Sequence, residues 1–192
     1  MGKTVVMKTV VMRHPRGDPR PVETPEQPAR SDPADGCVFC GILAGEVESS
    51  LVYEDEHVVA FMDITPVTPG HLLVVPRTHW PHLEDLDEDA GAHLFRVAHR
   101  LARAVRRSGL RCDGVNLLLA DGEAAFQEVF HVHLHVLPRF AGDSFRIDAD
   151  WRTADRGELE AAAAKVRTGL RRLGDERPRA GSESPGASGS TR

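Results

Sequence analysis

Between residues 51 and 75 the apolar residues fall in short, β-branched-rich blocks broken by polar turns. Residues 51–53 and 57–62 read as two strands joined by the acidic turn Glu54-Asp55-Glu56. Residues 63–70 hold Pro66, Pro69 and Gly70 and form a loop, and residues 71–75 make a third, buried strand. The period then changes. Leu94, Val97, Ala98, Leu101, Ala104 and Val105 recur at helical spacing, which predicts a helix capped by Asp85 or Asp87, running to about Ser108 and stopped by Gly109. Residues 115–119 give a fourth strand, and a Gly/Ala-rich loop leads to a fifth at residues 131–137. Leu159, Ala163, Val166 and Leu170 predict a second helix over 154–172. Five strands with one helix between the third and fourth imply an α+β domain with a mainly antiparallel sheet and two main helices.

The flanks carry no such periodicity. Residues 3–7 and 8–12 repeat Lys-Thr-Val-Val-Met, and a segment rich in proline, arginine and acids follows. Residues 1–36 are therefore expected to be a disordered extension, residues 37–173 the folded domain, and the Gly/Ser/Pro-rich residues 174–192 a disordered tail. The 41% apolar and 28% charged content is that of a soluble globular chain. A formal charge of −5 offers no global attraction to nucleic acid or to an anionic membrane. The arginines at 96, 100, 103, 106 and 107 belong to a solvated helix face. No apolar run reaches the roughly 20 residues that span a bilayer. The start is too broken by lysine and threonine for a secretion signal, so a cytoplasmic location is expected, where the three cysteines form no structural disulfide.

The fifth strand changes the picture from fold to chemistry. In His131-Val-His133-Leu-His135-Val-Leu the histidines alternate with apolar residues, so an extended chain sets three imidazoles on one face. At ~3.3 Å per residue the outer two stand roughly 13 Å apart along the backbone. Imidazole is a competent nucleophile toward phosphorus, forming a phosphoramidate that water later cleaves. The middle ring is best placed for this, with neighbours to orient it and to bind phosphate oxygens.

Taken with the segments around it, the chain resembles the histidine triad (HIT) family of nucleotide hydrolases and transferases. The resemblance rests on His131-Val-His133-Leu-His135-Val-Leu, on Asp121-Gly-Glu-Ala-Ala-Phe-Gln127-Glu-Val before it, and on Pro138-Arg-Phe-Ala-Gly-Asp143 after it. Upstream, Tyr53-Glu-Asp55, Phe61-Met-Asp63-Ile64, Pro69-Gly-His71 and Pro76-Arg-Thr-His79 follow in the family's order. It implies a HIT-like fold and a covalent nucleotidyl-histidine on His133. His135 would assist the leaving group, with His71 close by. Asp63 would bind the ribose, Ile64 would flank the base, and Asn116 and Gln127 would support the phosphate region. The implied partner is a purine nucleotide or dinucleoside polyphosphate, within a homodimer and without a catalytic metal. A nucleoside phosphoramidase and a nucleotide-binding regulator with little turnover are the alternatives.

Cys37-Val-Phe-Cys40 has the spacing of a zinc knuckle, although a redox pair or two buried thiols would share it. Some bacterial HIT proteins join this motif to two histidines, at positions matching His79 and His131, and so imply a structural Zn2+. The chain departs from the family at three points. Ala120 replaces a common Asn or Gln, Phe126 a common Gly, and Glu128 a common Ser or Thr. A carboxylate facing a phosphate would repel it, so Glu128 is expected to turn outward.

Overall fold

In the computed structural model, which describes residues 36–147 and 149–176, the apolar blocks at residues 58–61 and 72–76 are buried at every position, so both faces of the sheet are covered there. Strands β1 (Leu51–Glu54), β2 (Val58–Met62), β3 (Leu72–Pro76), β4 (Gly114–Leu119) and β5 (Leu134–Arg139) form one sheet in the order β1-β2-β3-β5-β4. Every neighbouring pair is antiparallel. Nearly all of the two expected tails, residues 1–35 and 177–192, lies outside the described residues.

The sheet's two faces are covered unequally. Val58, Ala60, Leu72, Val74, Val132, Leu134 and Val136 meet Leu94, Val97, Ala98, Leu101 and Val105 in the main core. Those last five belong to helix α2 (Glu88–Val105), whose N-terminus is capped by Asp87, the carboxylate accepting from the Asp89 and Ala90 amides. Ala104, expected on the buried face, is exposed. The opposite face holds a smaller cluster of Phe39, Val59, Phe61, Leu73 and Val75. Phe39 comes from a short helix, α1 (Val38–Leu43), which six residues are too few to announce by periodicity.

The histidine strand is shorter than expected. β5 starts at Leu134, so His131, at a bend, and His133 both precede it. The β3 register runs Leu72↔Val136 to Val74↔Leu134, and two residues further comes Pro76, which has no N–H to continue the ladder. The Val132 amide donates instead to the Trp80 carbonyl at 2.7 Å. Helix α3 (Arg156–Glu176) begins two residues later than expected and runs three residues past Leu173. The chain divides into two compact units at residue 148; the first carries the sheet and the second α3.

Candidate active site and metal centre

The three histidines of the triplet share the less covered sheet face, and each ring is assigned by what its nitrogens touch. A carbonyl oxygen only accepts, so a ring nitrogen beside one must carry the hydrogen. His131 donates from Nε2 to the Pro76 carbonyl at 2.9 Å, which leaves its Nδ1 unprotonated. That Nδ1 lies 3.6 Å from Cys37 Sγ and 3.7 Å from Cys40 Sγ, and His79 Nδ1 is 3.3 Å from Cys40 Sγ. Tetrahedral zinc with two sulfur and two nitrogen ligands has edges of about 3.3 to 3.8 Å. The donor set, the spacing and the free lone pair of His131 all fit such an ion, and the four ligand atoms lie within 4.8 Å of one another. Burial and the adjacent Cys37 push the Cys40 thiol up to about 11, and a cation at the centre would reverse that. Burial also lowers His79 and takes His131 to about 4, so both rings are neutral ligands at pH 7.

His133 is held in the opposite sense. Its Nδ1 donates to its own neighbour's carbonyl, His131 O, at 2.7 Å, so Nε2 carries the lone pair. No buried side-chain nitrogen or oxygen among the described residues lacks a partner, so this Nε2, which has none, opens to solvent. The His135 ring stands 4.8 Å away, centroid to centroid.

A relay fixes the His135 tautomer. The Val67 amide donates to His71 Nδ1 at 3.3 Å, which places the His71 hydrogen on Nε2. From there it reaches His135 Nδ1 at 2.9 Å, with Asp63 Oδ2 at 3.4 Å. His135 therefore keeps its own hydrogen on Nε2. Burial pushes His135 down to about 4, reinforced by His133 and His71, and burial lowers His71 and His133 as well. An unprotonated nitrogen and a neighbouring N–H donor together suit attack at phosphorus with proton delivery to the departing oxygen.

The remaining expected residues divide. Asp63 stands by His71 and also accepts from the Thr65 amide and hydroxyl, while Ile64 is 95% exposed beside it. Gln127 is engaged with backbone. Its Oε1 accepts from the Gly122 amide and its Nε2 donates to the Pro81 and Val129 carbonyls, so both amide hydrogens are committed to backbone and none is left for a phosphate. The Asn116 carbonyl oxygen accepts from the Arg139 guanidinium, which also grips Asp143. Glu128 is exposed. Phe126 has a φ of 67°, the left-handed region that favours glycine, which gives the family's usual residue there a physical reason. Phe39 was not foreseen. Its ring contacts both His131 and His133 edge-on, at 6.0 and 5.1 Å, but one aromatic between two cysteines gives no sequence signal.

The HIT domain profile matches residues 44–142. The chain belongs to the HIT family. An uncharacterized HIT-like protein of Mycobacterium tuberculosis is 46% identical over 134 residues, 70% of this chain and 92% of that one. Among solved structures, a Zn-bound histidine triad family protein from Mycobacterium smegmatis is 44% identical, with a TM-score of 0.56 over 71% of this chain and 99% of its own. A histidine triad nucleotide-binding protein from Candida albicans is 26% identical, with a TM-score of 0.63 over 72% of this chain and 99% of its own. This HIT protein has no helix, among the described residues, long and apolar enough to cross a membrane.

Proposed function

We propose that the protein is a nucleotide hydrolase or nucleotidyl transferase that cleaves an α-phosphate linkage, with dinucleoside polyphosphates as the preferred class. The carrying observation is the His133 tautomer: its Nδ1–H is committed to a backbone carbonyl and its Nε2 lone pair is open. In this reading Nε2 forms a bond to the α-phosphorus while the bond to the leaving oxygen breaks. His135 delivers its Nε2 proton to that oxygen. Water then attacks the phosphorus and gives its proton back to His135 Nε2 as the P–N bond breaks, releasing a nucleoside monophosphate and the free ring. Asp63 holds the ribose hydroxyls, the bare Ile64 side chain packs on the base, and loop amides meet the phosphate oxygens. The nucleotide-binding relative supports the ligand class.

Cys37, Cys40, His79 and His131 hold a structural zinc ion in the same reading, supported by the donor geometry and by the Zn-bound relative. A closed Cys2His2 set keeps no position for substrate, so the ion holds shape and takes no chemical step. The edge strand β4, with Val115, Leu117, Leu118 and Leu119 half-buried, is the surface on which a homodimer would extend the sheet.

Incubation with diadenosine polyphosphates and with an adenosine phosphoramidate, beside His133→Ala, tests the activity. Turnover of the first by the wild type only, with a nucleotidyl adduct on His133 seen by mass spectrometry, is the expected result. Preferential turnover of the second makes the protein a phosphoramidase. Nucleotide binding without turnover above the variant overturns the enzyme. Metal analysis of untagged protein tests the ion; one zinc per chain is expected, and a stable metal-free protein removes it.

A further inference from the structure

One residue of the loop before the triplet is doubly unfavourable for the folded chain. Phe126 has a φ of 67°, and among the described residues it is the one non-glycine residue in the left-handed region. It is also 72% exposed, so its large apolar ring gains little from burial. The turn that carries it is closed. The Phe126 amide donates to the Glu123 carbonyl at 2.9 Å and the Gln127 amide to the Gly122 carbonyl at 3.2 Å. The Gly122 amide in turn donates to Gln127 Oε1 at 2.7 Å. An ordered frame therefore presents a bare aromatic ring to solvent, in a conformation that glycine would adopt without strain.

We propose that Phe126 is a stacking platform for the base of the departing nucleotide, a second base site that favours dinucleoside over mononucleoside polyphosphates. The proposal rests on the hydrolase reading above and names its substrate's far end. The row of histidines gives the direction. At its His135 end stand His71 and Asp63, with Ile64 95% exposed beside them. At its His131 end stands His79, and the Phe126 loop is fastened just beyond it. Gln127 Nε2 donates there to the Pro81 carbonyl, and the Leu83 amide donates to Asp121. His133 lies between, so the two bare apolar side chains belong to opposite ends of the row. A dinucleoside polyphosphate laid across His133 has a base for each; a phosphoramidate has a base for one. Charge selects the group that meets the ring. Asp121, Glu123 and Glu128 are exposed on the same loop, so their field repels phosphate oxygens but admits a neutral base, whose exocyclic amine can donate to a carboxylate.

The test is equilibrium binding to full-length His133→Ala, which holds its ligands without turning them over. Calorimetry compares diadenosine tetraphosphate with adenosine tetraphosphate, which lacks the second nucleoside. The ratio of the two affinities is expected to fall about tenfold when Phe126→Gly is added, and to be kept by Phe126→Tyr. Taking the ratio cancels the difference in charge between the probes, and a higher Tm for the glycine variant shows that it is folded. A ratio that Phe126→Gly leaves unchanged overturns the platform, and so does a protein that binds neither probe. The expected ratios in a chain whose wild type turns over neither compound would sink the hydrolase and uphold the platform.

Discussion

His131 and His133 sit two residues apart on the same face of one segment. Each gives one N–H to a backbone carbonyl, yet opposite ends of the two rings are left free. His131 bonds the Pro76 carbonyl through Nε2 and turns Nδ1 to two cysteine sulfurs; His133 bonds the His131 carbonyl through Nδ1 and opens Nε2 to solvent. Side-chain identity alone does not separate the proposed metal ligand from the proposed nucleophile. The carbonyl within reach selects the tautomer, and the tautomer decides which nitrogen each ring offers.

The sharpest way to break this comparison is to remove each role separately. His133→Ala is expected to lower kcat by at least about 10^3-fold while zinc content and Tm barely move. Cys40→Ser is the reciprocal. It should lose the metal and at least about 3 kcal/mol of stability by chemical denaturation. Equal effects of the two substitutions on metal content would merge the two roles.

A smaller effect is a pH dependence of stability. His135 titrates at about 4 when folded against 6.5 in the free side chain, and His71 is lowered in the same direction. Between these values the unfolded chain binds more protons, so stability rises with pH. Denaturation midpoints should therefore fall as the pH drops from 6.5 to about 4. His135→Asn should flatten that slope, and an unchanged slope would mean the ring is already solvated. The smallest effect is at the loop, where Phe126→Gly removes a left-handed aromatic and should raise stability by about 1 kcal/mol, read as a higher Tm.

The histidine face was legible because period two is a property of neighbouring residues, and alternation survives even where the strand does not form. The strand's true start was not, because it depends on Pro76 in another strand and on the Trp80 carbonyl. The cysteine pair was legible by its spacing, but only resemblance joined it to His79 and His131, which lie 39 and 91 residues away from Cys40. The partners of Gln127 and Asn116 were not legible, for one reason. A polar side chain in the right segment can be consumed by nearby backbone or by a guanidinium, and sequence does not record which partner arrives first. Helix α1 was silent because it has fewer than two turns.

The engagement of Gln127 has a thermodynamic consequence. By tying the Gly122 amide to the Pro81 and Val129 carbonyls, one buried side chain fastens the loop before the triplet to the segment that carries His79. In the proposed reading, a ligand at the histidine face would meet a loop that this side chain already holds in place. Little conformational entropy remains to be lost there on binding, so more of the contact energy shows as affinity. Replacing Gln127 would leave the chemistry intact and return that ordering cost to the ligand.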